Sequence, residues 1–196
     1  HAREPIEIDL REAWPGGVQC LKAHATSSFY QAYLLAIPGT LVADLYARYG
    51  SRLLEQNVRS FLQARGSVNK GIRDTIVDEP DMFFAYNNGI TATASEVLVE
   101  PTADGLMLRK ITDLQIVNGG QTTASLFQTR LRQKASLDDV YVQMKLSIVT
   151  PDIAETIVPK ISEYANTQNK VNAADLFSNH PYHVRMEEFS RRIWAP

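Results

Sequence analysis

The hydrophobic period changes near the middle of the chain, and this change constrains the fold more than any other sequence feature. The stretch from Leu114 to Val117 is short, apolar and continuous, which is typical of a buried strand. After Asn118-Gly119-Gly120, apolar residues recur at helical spacing, at Ala124, Leu126, Phe127 and Leu131. The pattern predicts a strand, a tight glycine turn and a helix in succession, and therefore a fold that mixes α and β elements.

Other segments carry strand or helix patterns on both sides of this unit. Strict alternation over residues 140–149 predicts a strand, and the apolar run over residues 30–37 predicts a buried one. Further strand-like segments lie at residues 5–10, 18–23, 82–86, 90–94, 97–99 and 106–108, with a hairpin turn at residues 101–105. Helices are expected at residues 40–49 with Thr40 as N-cap and Gly50 as C-cap, from Ser67 to just before Pro80, from Asp152 to Tyr164, and from Pro181 to Ile193. Residues 57–62 read as a short extended or helical piece, and residues 166–172 as a polar loop.

The composition is that of a globular chain without disulfides. The 196 residues carry a formal net charge of −2, and Cys20 is the single cysteine, which fits a reducing compartment. No apolar run reaches the roughly 18–20 residues that a membrane span needs, so we expect a cytoplasmic protein without a membrane partner. The chain starts without Met and ends on Trp194-Ala195-Pro196, which indicates a fragment. We expect a lead-in over residues 1–29 and a core domain over residues 30–196.

The glycine turn has the features of an anion site. Glycine lets the backbone adopt a positive φ and approach a ligand closely. The first amides of a helix lack partners and carry partial positive charge, so they favour a phosphate. The residues expected to contribute are Asn118, Gly119, Gly120, Gln121, Thr122 and Thr123. The alternative is a plain strand–helix turn, in which Gln121 and the threonines only cap the helix.

Two further turns are rich in amide side chains. Asn87-Asn88-Gly89 follows an aromatic segment, and Asn-Gly alone is sufficient for a hairpin turn. Asn166, Gln168 and Asn169 follow a predicted helix, where such residues often fill a solvated loop. Three amide-rich turns, each after an apolar element, suggest one shared polar pocket.

Positive charge is concentrated between Arg48 and Asp74. This stretch holds six basic residues and two acidic ones, in a chain whose overall charge is slightly negative. Arg59 and Lys70 lie in it, and Asn69 lies beside Lys70. The stretch suits phosphate contacts, and it equally suits the solvated face of two helices.

Catalytic constellations are weak in this sequence. His180, His183 and Glu187 superficially resemble a metal site, but no third histidine or cysteine is placed to complete it. Asp81 with Gln143 and Lys145 mimics a degenerate nuclease triad, in which Gln143 replaces a carboxylate that magnesium would prefer. The outer face of the alternating strand accounts for Gln143 and Lys145 equally well. Cys20 is expected to pack rather than react.

Six segments occur in an order that resembles the AIPR family, named for abortive infection phage resistance. They are residues 57–62, residues 68–72, Tyr86-Asn87-Asn88-Gly89-Ile90-Thr91, Ile116-Val117-Asn118-Gly119-Gly120-Gln121-Thr122-Thr123, Tyr164-Ala165-Asn166-Thr167-Gln168-Asn169 and residues 175–179. The resemblance covers roughly residues 30–196 and implies a bacterial antiviral or restriction-associated role. More distantly, residues 118–123 are similar to the Asp-Gly-Gln-His-Arg turn of ParB-like domains, some of which bind nucleotides. The absence of an arginine after Gln121 argues against nucleotide hydrolysis and leaves phosphate binding open.

Together these observations predict an α+β fold, with a mixed, mostly antiparallel sheet, helices packed on one side and a ParB/sulfiredoxin-like core. The expected function is a phage-defence domain that binds a nucleotide or a DNA or RNA phosphate beside other defence-system proteins. The ligand residues expected are the turn at residues 118–123 with Arg59, Asn69, Lys70, Asn87, Asn88, Asn166, Gln168 and Asn169. The alternatives are a metal-dependent nuclease or nucleotide hydrolase, and a non-catalytic interaction module of a defence complex.

Overall fold

A mixed sheet organises the part of the chain that the computed structural model describes, which is residues 5–23, 30–54 and 69–167. Within these ranges the sheet has eight strands. They are β1 (Glu7–Asp9), β2 (Val18–Lys22), β3 (Tyr30–Pro38), β4 (Ile90–Ala94), β5 (Glu96–Thr102), β6 (Gly105–Thr112), β7 (Gln115–Asn118) and β8 (Tyr141–Val149). The helices are α1 (Leu10–Ala13), α2 (Gly39–Tyr49), α3 (Lys70–Asp78), α4 (Phe83–Tyr86), α5 (Gly120–Gln133) and α6 (Pro151–Thr167), with short 3-10 turns at Gly50–Leu53 and Pro80–Met82.

The strands pair antiparallel with one exception. β5 and β6 form the predicted hairpin, and β1 and β2 pair with different halves of the other edge of β6. From β2 the sheet continues through β3, β8, β4 and β7. The β8–β4 pair is parallel. The predicted α+β class with a mixed, mostly antiparallel sheet is confirmed.

The core lies on one face of the central strands. On β8, Val142, Met144 and Leu146 are buried, whereas Tyr141, Gln143 and Lys145 are exposed. α5 packs against α2 and α3. The contact with α2 includes the rings of Tyr46 and Phe127, 5.5 Å apart, and an ion pair between Arg130 and Asp44 at 2.7 Å.

The segment at residues 82–86 is helical, so the strand expected there is wrong. Pro80 opens a 3-10 turn, and α4 follows directly after it. A short apolar run has no periodicity that separates a strand from one helical turn, and the proline start favours the helix. Asn87-Asn88-Gly89 therefore joins a helix to a strand, and the hairpin expected there is also wrong.

Two helices begin at residues other than those expected. α2 begins at Gly39, with Pro38 in the cap position, so Thr40 is not the N-cap. The Gly39 N–H donates to the Val140 carbonyl at 2.7 Å, a long-range contact that no local pattern predicts. α3 begins at Lys70 and is capped by Asn69, so the cap assigned to Ser67 is wrong. Gly50 does form the C-cap of α2, as expected.

Exposure along β3 also differs from the prediction. Tyr33 and Leu35 are buried, but Leu34 between them is 40% exposed because one face of the sheet is open. The expected buried strand is therefore only half-buried.

α6 extends through Asn166 and Thr167, so these two residues are not in a loop. The rest of the predicted polar loop, the segment at residues 57–62 and the helix from Pro181 to Ile193 lie outside the described residues. Residues up to Ala165 form one compact unit, and Asn166 begins a second. In the described ranges, no helix is both long and apolar enough to cross a membrane.

Candidate functional site

The sheet brings two of the amide-rich turns together. β4 and β7 are adjacent and antiparallel, and Thr91 at the start of β4 pairs with Asn118 at the end of β7. The turn before β4 and the turn after β7 therefore lie side by side. A Cβ on Gly119 would come within 2.7 Å of the Gly89 carbonyl oxygen. Gly119 also has φ 89°, in the left-handed region, so both its conformation and its surroundings require glycine.

Gly119 is the N-cap of α5 and offers no side chain to the helix. Its carbonyl accepts from the N–H and the hydroxyl of Thr123, both at 3.0 Å. The amides of Gly120, Gln121 and Thr122 have no acceptor within the helix by its geometry, and no side chain caps them. The first turn of α5 also contains no acidic residue. The start of α5 therefore keeps its partial positive charge without an internal carboxylate to offset it.

Asn87 connects the first turn of α5 to the turn before β4. Its Oδ1 accepts from the Gly89 N–H at 2.9 Å. The buried hydroxyl of Thr122 lies 3.3 Å from both Oδ1 and Nδ2 of Asn87. Asn87 thus braces the turn itself, while its neighbour Asn88 is exposed.

Asn118 connects the end of β7 to α6. Its Nδ2 donates to the Ala165 carbonyl at 2.6 Å, and Ser162 Oγ donates to the Val117 carbonyl at 3.4 Å. Asn166 lies in the last turn of α6, at the start of the second unit. Gln168 and Asn169 lie outside the described residues. The structure thus places the first two amide-rich turns together, and the third stays a prediction.

A pocket of about 220 Å³ lies beside these turns, between α3 and α4. Asn69 and Asn87 both line it, so the structure groups two predicted residues from distant parts of the chain. Asn69 Oδ1 caps α3 by accepting from the Gly71 and Ile72 amides at 3.0 and 3.4 Å. Lys70, next to it, is exposed. The other lining residues, which sequence reasoning did not select, are Gly71, Ile72, Thr75, Phe83 and Tyr86.

Tyr86 could have been selected from its position directly before Asn87-Asn88-Gly89, since an aromatic ring beside an amide turn can stack on a planar ligand. Phe83 and Ile72 carried no comparable signal, because their apolar side chains read as ordinary core residues.

The basic stretch is only partly described. Arg59 and Arg65 lie outside the described residues. Arg73 pairs with Asp74 at 2.7 Å, and Arg48 lies over the Tyr49 ring and 3.9 Å from Glu12. Among the described basic residues of the stretch, Lys70 directly follows the pocket residue Asn69 in sequence but does not itself line the pocket.

The candidate catalytic residues lie on two different elements and are exposed. Asp81 lies exposed in a 3-10 turn, and Gln143 and Lys145 lie on the exposed face of β8, as the alternation predicts. In the described part of the chain, no three His, Cys, Asp or Glu side chains are placed to hold a metal ion. His180, His183 and Glu187 lie outside it. Cys20 is buried in β2, and burial raises the pKa of its thiol, which lowers its reactivity.

Comparison with known proteins identifies the family. The family model described as AIPR protein matches residues 54–195, which is more than half of the chain. The chain belongs to the AIPR family. Membership suggests a role in phage defence or abortive infection. No curated protein and no solved structure matches the chain, so the ParB-like core stays a prediction.

The AIPR match includes the whole site described above. It starts at Leu54, which forms an isolated parallel bridge with Ile116 of β7. It contains the turn before β4, the turn after β7 and the pocket between α3 and α4, but not β1, β2 and β3. The site therefore lies entirely in the part of the chain that carries the AIPR signature.

Proposed function

We propose that this AIPR domain binds a phosphate of a nucleotide or nucleic acid at the first turn of α5, as part of cytoplasmic phage defence. The observation that carries the proposal is the start of α5, where Gly119 provides no side-chain cap and no acidic residue follows it. Amides in this arrangement favour an anion through hydrogen bonds and through the helix dipole.

The backbone amides are the ligand groups in this proposal, rather than the threonine hydroxyls. The Thr123 hydroxyl donates to the Gly119 carbonyl, and the Thr122 hydroxyl lies against the Asn87 amide. Both hydroxyls therefore already have partners, whereas the amides of Gly120 and Gln121 have no side-chain cap.

The other predicted residues act around these amides. Lys70 is exposed and lies next to Asn69 at the pocket, which suits a contact to a second phosphate. Arg59 and Asn88 complete the set that we propose for charge and for orienting the base or sugar, while Asn166, Gln168 and Asn169 stay predicted ligand residues. Other proteins of the defence system are the proposed macromolecular partners.

A charge placed at the first turn tests the site. Gln121→Glu adds an anion where the phosphate is proposed to bind, and like-charge repulsion is expected to weaken binding of ATP, GTP and inorganic triphosphate by about tenfold or more. The same substitution favours the helix, because a carboxylate near a helix N-terminus contributes about 0.3–1 kcal/mol. Isothermal titration calorimetry measures the affinities, and thermal unfolding measures the stability.

Gln128→Glu is the matched control. Gln128 has the same half-buried exposure, on the same helix two turns further along, roughly 10 Å away at 1.5 Å per residue. At that distance salt screens most of the added charge. The affinities of Gln128→Glu for the three anions should therefore stay close to those of the unaltered chain. Equal affinities for the unaltered chain and Gln121→Glu, or no binding of any of the three anions, would contradict the proposal.

A non-catalytic interaction module is the second candidate, and the internal bonds of Asn87 and Asn118 favour it. Both amides brace the protein's own backbone. If these residues serve only the fold, Asn87→Ala lowers the melting temperature and leaves every anion affinity unchanged, because a stranded buried partner costs about 1–3 kcal/mol.

A further inference from the structure

The pocket between α3 and α4 has the size of one planar base rather than of a whole nucleotide. Its volume is about 220 Å³, below the roughly 300–1,000 Å³ of pockets that hold drug-sized ligands. Phe83 is buried at 1% exposure and provides an apolar wall, while Tyr86 is 58% exposed and lies free to stack on a planar group. Aromatic stacking of this kind is a common way to hold a nucleobase.

Asn69 can only donate to a ligand in this pocket. Its Oδ1 accepts from two backbone amides of α3, which uses both of its lone pairs. Its Nδ2 has two N–H groups, and no described residue accepts from them. The cap holds the side chain in place, so these donors are ordered before a ligand arrives.

Asn87 is held in the same way. Its Oδ1 accepts from the Gly89 amide and lies against the Thr122 hydroxyl. Whichever partner donates in the Asn87–Thr122 contact, at least one N–H of Nδ2 is left over. Another polar side chain of the pocket, that of Thr75, donates its hydroxyl proton to the Gly71 carbonyl at 3.0 Å.

We infer that this pocket binds an unpaired guanine base. The two fixed amides offer donors, and the ring edge of guanine that carries O6 and N7 offers two adjacent acceptors. Adenine carries an amino donor beside N7, which would face the donors of Asn69 and Asn87. The inference rests on the proposed phosphate site, since Asn87 lines the pocket and contacts Thr122 in the first turn of α5.

Two sources present such a base: a free guanine nucleotide and a guanine in a single strand. A base within a duplex is stacked on both sides and cannot enter a pocket without being extruded. Guanine recognition therefore excludes intact duplex as the ligand.

The first experiment compares ligands on the unaltered chain by calorimetry. GTP is expected to bind about tenfold more tightly than ATP. The analogue 7-deaza-GTP lacks N7, so it is expected to bind at least several-fold more weakly than GTP. GMP and a guanine-containing single-stranded oligonucleotide distinguish the two sources by their relative affinities. If the protein bound the duplex form of that oligonucleotide more tightly than the single strand, the inference would be wrong.

The second experiment removes the donor but keeps the helix cap. Serine caps helices about as well as asparagine, so Asn69→Ser should fold normally and lose the preference for GTP over ATP. Tyr86→Ala should weaken the binding of both GTP and ATP, because it removes the stacking surface. Phe84→Ala is the matched control, because Phe84 is also exposed, at 47%, on the same helix α4 but does not line the pocket.

The outcomes separate this inference from the phosphate proposal. If GTP, ATP and inorganic triphosphate bind equally and Gln121→Glu weakens all three, the phosphate site stands and the guanine pocket is wrong. If none of them binds, both are wrong. A GTP preference that Asn69→Ser removes supports the guanine pocket, and a loss of affinity in Gln121→Glu supports the phosphate site.

Discussion

At the scale of single residues, Gly119 sets the geometry of the candidate site. Its left-handed φ turns the chain from β7 into α5, and its missing side chain allows the Gly89 carbonyl to lie directly against it. Gly89 itself has φ 81° and lies as closely against the carbonyl of Gln143 on β8. Two glycines in contact thus bring three strands and the start of α5 together.

Replacement of Gly119 tests this close approach. Gly119→Ala is expected to lower the free energy of unfolding by about 3 kcal/mol or more, since positive φ costs about 1–3 kcal/mol and the Cβ clash adds to it. Gly16→Ala is the control, with a similar φ of 97° but no atom closer than 4.0 Å, the end of the Arg109 side chain. Urea unfolding measures both variants. Equal losses for the two would show that conformation alone, and not the contact with Gly89, requires the glycine.

At the scale of elements, Asn118 fixes the position of α6 against β7. It donates to Ala165 in the last turn of the helix, where carbonyls lack an amide partner within the helix. Ser162, one turn earlier, donates to the backbone of β7. Asn118 at the end of β7 therefore holds α6 in place, in addition to being a candidate ligand residue.

Loss of the hydrogen bond from Asn118 to Ala165 should lower the stability of the protein measurably. Asn118→Ala is expected to lower the free energy of unfolding by about 1–2 kcal/mol, because the Ala165 carbonyl loses its donor. In a chain of this size that corresponds to a fall in melting temperature of roughly 2–8 °C. Asn88→Ala is the control in the neighbouring turn, where the side chain is exposed, and it should change the melting temperature little. A loss as large in Asn88→Ala would contradict the bracing role of Asn118.

At the scale of the whole molecule, Asp9 at the junction of β1 and α1 contributes to the pH dependence of stability in acid. Asp9 ends β1 and caps α1, where it hydrogen-bonds and ion-pairs with Arg11 and lies 3.8 Å from Lys110 of β6. The side-chain hydrogen bond from Arg11 lowers the pKa of Asp9 from 3.8 to about 2. The folded state therefore binds this proton less readily than the unfolded state. The stabilisation that the Asp9 carboxylate contributes is complete above the pKa of Asp9 in the unfolded state. It is lost as the pH falls from about 4 to 2.

Asp9→Asn tests this dependence. Asparagine keeps the cap of α1 but cannot titrate, so the free energy of unfolding should fall less steeply between pH 4 and pH 2 than in the unaltered chain. Arg11→Ala should reduce the slope in the same interval by removing the main cause of the lowered pKa. Denaturant unfolding at a series of pH values measures the slopes, and identical slopes in all three proteins would contradict the assignment.

The sequence by itself determined the elements whose side-chain pattern is local. Alternation fixed β8, a glycine-containing loop fixed the β5–β6 hairpin, and the change of period after Asn118 fixed the succession of β7 and α5. The glycine turn was also predicted as an anion site from sequence, because helix-end polarity depends only on the local chain. The AIPR resemblance rested on motifs in order along the chain, which needs no tertiary information.

Only the tertiary structure decided which of these motifs lie together. The parallel pairing of β4 with β8 and the adjacency of β4 and β7 join segments that are far apart in sequence, so no local pattern could place Asn87 beside Thr122. The start of α2 was set by a hydrogen bond from Gly39 to Val140, and α4 formed where a short apolar run fits either structure. Long-range hydrogen bonds and packing outweigh weak local preferences at such positions, and they also formed the pocket between α3 and α4.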